Sequence, residues 1–229
     1  MKQNGFTKRL SFVVLLIAVV AAAVLVNYYI SAGNPIKLNT VEVTEYQGQK
    51  LSSINDFREN SIKGPQYVNK SNYRLVVTGL VDKNLTFTYD EVISRYKSYE
   101  KVVTLNCVEG WDVTILWQGF LVKDLLEDAG VQPGAKVVIF YAYDNYTSSL
   151  PIDYLTSNNI MIAYKMNGVP LPPERGFPFQ LVAESKWGYK WVKWITKIEV
   201  SDNANFTGYW EQNGYSNSGD LNQTFWSSP

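Results

Sequence analysis

The segment Val103–Trp111 constrains this chain more than any other. It begins with β-branched and apolar residues, which predict a strand, and the strand ends at Cys107, the only cysteine in 229 residues. The pair Glu109–Gly110 then breaks the strand. A thiolate at a strand end, beside a glycine turn, is a soft ligand that could bind a metal close to solvent. The alternative interpretation is a small buried hydrophobic side chain, because free cysteines are among the most buried residues in proteins.

The absence of histidine restricts the chemistry further. It excludes Ser-His-Asp and Cys-His catalysis, zinc held by histidine, and haem with a protein histidine ligand. A single cysteine excludes an internal disulfide framework. Lys plus Arg and Asp plus Glu each total 21, so no basic surplus indicates nucleic acid as a partner. Any metal must be held by Cys107, by carboxylates, or mainly by a cofactor that brings its own ligands.

The N-terminal residues predict a signal anchor over residues 1–33. Lys2, Lys8 and Arg9 precede an uncharged run from Leu10 to Ile30, and about 20 apolar residues suffice to cross a bilayer. Because the positive flank stays inside, we expect a single-pass protein of the cell membrane whose catalytic domain is extracytoplasmic. A cleaved signal peptide is the alternative, and the length of the apolar run favours retention.

The remaining chain predicts a linker at 34–65, one domain at 66–202 and a C-terminal extension at 203–229. The domain has the pattern of an α+β fold dominated by sheet, with a few short helices. A capping box at Thr88–Glu91 begins one helix, and Asn167–Gly168 predicts a hairpin turn. The predicted strands are Tyr73–Val81, Lys101–Leu105, Trp111–Trp117, Lys136–Tyr143, Ile160–Met166, Phe179–Ala183 and Trp191–Val200; the predicted helices are Thr88–Lys97, Val122–Ala129 and the short Pro151–Leu155.

Three separated stretches carry a family resemblance. They are Asn106–Trp111, with the letters Cys-Val-Glu-Gly-Trp; Gly176–Ile195, with Gly-Phe-Pro-Phe-Gln-Leu and Gly-Tyr-Lys; and Gly208–Ser216. In this order and spacing, from about Phe57 to Ser216, they resemble the molybdopterin-binding domain of the sulfite-oxidase class. The pattern around the cysteine is similar to the exported branch that includes the catalytic subunit of protein-methionine-sulfoxide reductase. The resemblance implies a sulfite-oxidase-type molybdopterin-binding fold.

The resemblance also implies a cofactor and its ligands. The cofactor is molybdopterin with molybdenum, or with tungsten, and Cys107 stands at the position of the metal ligand. The other implied cofactor-binding residues are Arg58, Asn60, Ser61, Arg175, Gln180, Lys186, Gly188, Tyr189 and Lys190. The Gly-Tyr-Lys run matches a phosphate loop, where backbone amides and an ammonium can bind an anion. The alternative for Lys190 and Lys193 is the polar side of an exposed strand.

Several positions depart from the family pattern. Ser61 replaces a histidine, which leaves Arg58 as a source of charge, and Gln180 replaces an arginine for which Arg175 could compensate. Sulfite oxidases follow the cysteine with an arginine-rich segment, whereas Glu109 makes this rim acidic, and an acidic rim repels sulfite.

Two side chains beside the cysteine complete the predicted catalytic set. Trp111 either walls the substrate pocket or fills the core, and for Trp117 we expect the core. Glu109 either orients substrate and relays protons or is merely solvated.

These features predict an exported, molybdopterin-dependent oxidoreductase that catalyses oxygen-atom transfer. Reduction of S-oxides such as methionine sulfoxide is the direction that the resemblance implies. Its substrate is a small-molecule or protein-bound oxo-acceptor or donor. Electrons come from a separate transfer partner, such as a membrane haem protein, because the sequence shows no second redox centre. The alternative is an extracellular binding module that keeps the fold without the cofactor.

Overall fold

The computed structural model describes residues 16–26 and 41–227. Residues 16–26 form helix α1. The rest of the predicted signal anchor lies outside the described residues. Within the described ranges, every helix is too short or too polar to cross a membrane.

The described chain from residue 41 onward is one unit with two five-stranded sheets. Its strands are β1 (Glu45–Tyr46), β2 (Gln49–Lys50), β3 (Leu75–Gly79), β4 (Leu85–Phe87), β5 (Tyr99–Asn106), β6 (Asp112–Leu121), β7 (Val137–Ala142), β8 (Thr147–Pro151), β9 (Met161–Met166), β10 (Val169–Pro170), β11 (Gln180–Val182) and β12 (Ile195–Ser201). Its α-helices are α2 (Tyr89–Arg95), α3 (Val122–Ala129) and α4 (Ile152–Ser157), with 3₁₀ turns at Pro173–Arg175, Gly188–Lys190 and Glu211–Asn213. The predicted α+β class, dominated by sheet, is confirmed.

The first sheet carries the cysteine. Its strand order is β10-β9-β6-β5, with β11 also paired to β9. Strands β5 and β6 form an antiparallel hairpin that closes at Asn106 opposite Asp112. Cys107–Trp111 are therefore the connecting loop, at the end of the strand as the sequence predicted. The second sheet has the order β4-β3-β12-β7-β8, and its β12 is parallel to β3.

Local sequence signals explain two of the connections. Thr88 and Glu91 form a reciprocal capping box at the start of α2. The β9–β10 turn places Asn167 at φ 45° and Gly168 at φ 78°, and a two-residue hairpin turn with two positive φ angles favours this Asn-Gly pair. Both predictions are confirmed.

The last strand is shorter than predicted. Regular strand was expected from Trp191, but β12 begins at Ile195. The amides of Lys190 and Trp191 donate to the carbonyls of Trp187 and Gly188 at 2.9 and 3.0 Å, so a tight turn uses the donors that strand pairing would need. Trp194 then has a φ of 51°, which interrupts an extended chain. The predicted strand start at Trp191 was therefore wrong by four residues.

Candidate active site

A cleft of about 410 Å³ opens beside the β5–β6 loop. Five parts of the chain line it: the irregular segment 57–62, the end of β5 with the β5–β6 loop, the β7–β8 connection, the region 174–194, and the C-terminal extension. Of the predicted site residues, the cleft brings together Arg58, Asn60, Ser61, Cys107, Glu109, Trp111, Arg175, Gln180, Gly188 and Tyr189. Lys186 and Lys190 do not line it.

Cys107 lies at the inner end of the loop and is 9% exposed. Its amide donates to the Trp111 carbonyl at 2.9 Å, and its carbonyl accepts from the Gly110 amide at 3.0 Å. Gly110 adopts a φ of 83°, a conformation that glycine adopts without steric cost. The turn thus fixes the backbone of the cysteine. Burial raises the pKa of the Cys107 thiol, and the backbone of Glu109 and the charge of Arg58 oppose that rise.

Asn60 and Ser61 approach the thiol from the other side of the cleft. Asn60 Nδ2 lies 3.9 Å from Cys107 Sγ, within reach of a weak hydrogen bond to sulfur. Ser61 Oγ is buried and has no hydrogen-bond partner among the described residues. A buried hydroxyl without a partner costs free energy. A ligand that supplies the missing partner would therefore be stabilised there.

Glu109 and Trp111 form the exposed edge of the cleft. Trp111 Nε1 donates to Glu109 Oε2 at 3.3 Å, and the indole meets the Phe57 ring edge-on, with centroids 6.2 Å apart. Trp111 therefore walls the cleft. Trp117, by contrast, is fully buried and donates from Nε1 to the Val103 carbonyl, so its predicted place in the core is confirmed.

Arg175 lines the cleft, but its guanidinium binds the chain itself. Nε donates to the Ile54 carbonyl at 3.2 Å and Nη2 to the Phe57 carbonyl at 3.1 Å. Its guanidinium carbon also lies 4.8 Å from the centre of the Phe57 ring. Burial lowers the pKa of Arg175. The residue thus clamps the segment that carries Arg58, Asn60 and Ser61, a role that the sequence did not suggest.

Gly188 packs directly under the cysteine strand. A Cβ at this position would lie 3.2 Å from the Asn106 carbonyl oxygen and 3.6 Å from Cys107 Cα. Trp187 also bridges to Asn106 in parallel register. The Gly-Tyr-Lys run and the cysteine loop are therefore neighbours in space, as their combined resemblance implied.

Lys186 and Lys190 bind acidic residues of the C-terminal extension instead of facing the cleft. Lys190 Nζ lies 2.5 Å from Glu211 Oε1, and both side chains are fully buried. Lys186 Nζ lies 2.5 Å from Asp220 Oδ1. The expectation that Lys190 shares a cleft with Cys107 is corrected, because the 3₁₀ turn at Gly188–Lys190 directs its side chain to Glu211.

The cleft contains side chains that the prediction of site residues missed. Lys193 lines it and pairs with Glu59 at 2.8 Å; burial lowers the pKa of Lys193, with Glu59 opposing the shift. Trp210 and Tyr215 of the C-terminal extension form another wall. Lys193 follows Gly-Tyr-Lys within the second motif stretch, and Trp210 and Tyr215 belong to the third. The motif stretches could therefore have identified these three residues as part of the site.

Comparison with known proteins decides the family. The sequence profile of the "Oxidoreductase molybdopterin binding domain" matches residues 62–210. The chain belongs to this family. It is 36% identical over 164 residues to the uncharacterized oxidoreductase YuiH of Bacillus subtilis, covering 70% of this chain and 82% of that protein. The recognition from the motifs is confirmed, and the chain is an oxidoreductase.

More distant relatives carry more specific names. The chain is 32% identical over 148 residues to the putative protein-methionine-sulfoxide reductase subunit YedZ1 of Azospira oryzae, and 30% identical over 189 residues to sulfite oxidase of Gallus gallus. These matches cover 65% and 69% of this chain, but only 56% and 41% of those proteins.

A solved structure supports the fold. The sulfane dehydrogenase SoxCD from Paracoccus pantotrophus superposes with a TM-score of 0.61 at 24% identity, covering 76% of this chain and 54% of that one. The predicted sulfite-oxidase-type fold is thereby confirmed.

The family implies a cofactor with a molybdenum centre on a pterin. The residues of the cleft fit this cofactor. Among the described residues, no group of three or more Cys, Asp or Glu side chains is arranged to hold a metal ion. Cys107 offers one thiol, Ser61 Oγ is buried and has no partner among the described residues, and Gly188 packs closely against the cysteine backbone because it has no side chain. Together these are a sulfur ligand and polar contacts on adjacent walls of one cleft.

Proposed function

We propose that this oxidoreductase is exported and reduces the S-oxide of a thioether to the thioether and water, with two protons and two electrons that a separate donor would deliver through the bound cofactor. The observation that carries the proposal is the character of the cleft at Cys107. The acidic Glu109 and several aromatic rings line the cleft into which the thiol opens. An uncharged S-oxide, with one polar oxygen and apolar substituents on sulfur, matches these walls.

The charges of the cleft argue against an anionic substrate. Lys193 is paired with Glu59, and the guanidinium of Arg175 binds backbone carbonyls. Glu109 is exposed next to the cysteine. Arg58 is the third cation of the lining, against the four carboxylates of Glu59, Glu109, Asp144 and Glu174, so the balance of charge is negative. A negative lining disfavours entry of a dianion such as sulfite, whereas it has little effect on a neutral S-oxide.

The aromatic walls suit the apolar substituents of such a substrate. Trp111 lies on one side of the cleft, and Trp210 and Tyr215 lie in the C-terminal extension. Ring faces and edges bind apolar groups and polarisable sulfur atoms favourably. The Azospira relative is named for the same substrate class.

The chain's own residues hold and shape the site. Cys107 would ligate the metal, while Asn60, Ser61 and the backbone near Gly188 would contact the cofactor. The bound cofactor would supply the two-electron oxygen-atom exchange. Trp111 would exclude water from the substrate sulfur, and Glu109 would hold or deliver a proton at the substrate oxygen.

Export and an electron partner belong to the same proposal. The positively flanked apolar run from Leu10 to Ile30 supports membrane attachment with the domain outside. The chain has one cysteine and no histidine, so protein ligands for a second redox centre are scarce. A separate electron-transfer protein, such as a membrane haem protein, would therefore reduce the enzyme.

The test uses protein purified from a host that makes the cofactor. We expect about one molybdenum and one pterin per chain, and reduction of dimethyl sulfoxide or methionine sulfoxide with an artificial electron donor, with little sulfite oxidation. Cys107→Ser should stay folded by circular dichroism but lose turnover. Faster turnover of sulfite than of either S-oxide would refute the substrate assignment, and full activity of Cys107→Ser would refute the ligand.

A further inference from the structure

Lys190 and Glu211 form an ion pair that is sealed from solvent. Lys190 Nζ donates to Glu211 Oε1 at 2.5 Å and to the Asn217 carbonyl at 2.9 Å. The same Glu211 oxygen accepts a hydrogen bond from Ser148 Oγ at 2.6 Å. A buried charge pair of this kind persists only where further hydrogen bonds compensate its desolvation. Here the compensating groups come from β8 and from the C-terminal extension, and they reach one carboxylate oxygen, while Glu211 Oε2 has no partner among the described residues.

The neighbours of Lys190 bind the same extension. Lys186 Nζ donates to the Ser218 carbonyl at 2.9 Å and lies 2.5 Å from Asp220 Oδ1. Tyr189 OH donates to the Ser216 carbonyl at 2.7 Å, and the Trp187 amide donates to the Gly219 carbonyl at 2.8 Å. The loop 186–190 and the segment 211–220 are therefore held together by charge and by backbone hydrogen bonds.

This attachment has a consequence for the cleft. Trp210 directly precedes the segment 211–220 and Tyr215 lies within it, and both side chains line the cleft. The ring of Tyr215 meets that of Tyr189 edge-on, with centroids 5.0 Å apart. The ammonium of Lys190, in contrast, is enclosed, faces a carboxylate and a carbonyl, and does not reach the cleft. Its charge is already compensated and is not available to an anion there.

We propose that the Lys190–Glu211 pair is a buried latch that fixes the C-terminal extension as a wall of the catalytic cleft. Lys190 and Glu211 are then positioning residues that act through Trp210 and Tyr215, and Lys190 does not bind the anionic part of the cofactor. Glu211 lies just beyond the part of the chain that matches the family profile, residues 62–210. The inference is independent of the substrate.

The test compares Lys190→Met with Glu211→Gln in the full chain. Methionine keeps most of the apolar stem of lysine without its charge, and glutamine is nearly isosteric with glutamate. Hydrogen exchange is followed in peptides that cover 206–221, and molybdenum and pterin per chain are measured in the same samples. Lys197→Met is the matched control, because Lys197 forms a partly exposed pair with Glu199 at 2.8 Å in β12.

The latch predicts that both variants raise exchange in 206–221 by about tenfold or more, while Lys197→Met leaves it unchanged. Any change in molybdenum content should be the same in the two variants. Loss of molybdenum confined to Lys190→Met would overturn the proposal, because it would show that Lys190 binds the anionic part of the cofactor. Unchanged exchange in either folded variant would also overturn it. If Lys190→Met does not fold, exchange in Glu211→Gln decides alone. Exchange needs no catalysis, so failure of the proposed substrate leaves this test intact.

Discussion

Replacing Arg175 should detach one wall of the cleft. Arg175 is the clamp on the segment 54–61, through two hydrogen bonds to backbone carbonyls and the stacking of its guanidinium over Phe57. Arg175→Met removes all three contacts and leaves the two carbonyls without their donor. The segment has no regular secondary structure of its own in this region, and its other contacts include the Lys193–Glu59 pair and the packing of Phe57 against Trp111 and Trp117.

The size of the effect follows from these contacts. A hydrogen bond from a charged donor contributes about 1.5–3 kcal/mol, and a cation–π contact at a partly exposed site about 0.5–1 kcal/mol. Burial of the guanidinium, which lowers the pKa of Arg175, opposes these gains. We therefore expect the free energy of local opening to fall by about 2–3 kcal/mol. The open population of the segment should rise roughly 30- to 150-fold.

Tryptic cleavage after Arg58 measures that population, because proteolysis tracks local opening when reclosing is faster than cleavage. Cleavage in Arg175→Met should accelerate by about the same factor, and Arg175→Lys should fall between, because lysine lacks the planar fork. Arg74→Met is the control, since the exposed Arg74 donates only to the nearby carbonyls of Ser71 and Tyr73. Cleavage of Arg175→Met within a factor of about 2 of the wild type would refute the clamp, because the expected change in opening free energy is far larger.

Two further predictions concern stability and the cysteine loop. The pKa of Asp128 lies well below its usual value, mainly because its carboxylate accepts a hydrogen bond from Arg95. Burial raises this pKa, whereas hydrogen bonds from Lys83 and Tyr96 lower it further. Asp128→Asn should therefore lose about 1–2 kcal/mol in urea unfolding at pH 7. This difference should shrink as the pH falls below ~3.9, the unfolded pKa; a constant difference would contradict it. Gly188→Ala should displace the Cys107 backbone by a few tenths of an ångström, because the added Cβ would lie 3.2 Å from the Asn106 carbonyl oxygen. Turnover should fall about tenfold at unchanged molybdenum content. Unaltered turnover would contradict this prediction and show that the loop adapts.

The sequence was most informative where structure depends on neighbouring residues. The β-branched run before Cys107, the glycine turn after it and the capping box at Thr88 all act over a few positions. The structure confirms the strand end and the cap. The Asn167–Gly168 turn is likewise determined by two residues that tolerate positive φ. These signals placed the cysteine at the end of a strand, where a cleft could form beside it.

The directions of the lysines could not be predicted in the same way. The chain around Lys190 forms a 3₁₀ turn, so neither the period of a strand nor that of an α-helix indicates which side chain faces the cleft. The partner of Lys190 is 21 positions away in a segment without strand or α-helix pattern. Arg175 binds a carbonyl 118 positions earlier. Contacts of this range depend on the complete fold.

The clamp and the latch together separate the stability of the cleft from that of the sheets. The two sheets are joined by a continuous core of buried apolar side chains, whereas the irregular walls of the cleft are attached mainly by polar contacts. Arg175 is the charged anchor on one side and Lys190 the buried charged anchor on the other. Apolar burial stabilises in proportion to area, but a charged anchor depends on one or two partners and fails when either is removed. Substitutions at these anchors should therefore open the cleft while the sheets stay folded. Loss of function would then precede global unfolding, because the elements that shape the site are not the elements that hold the fold.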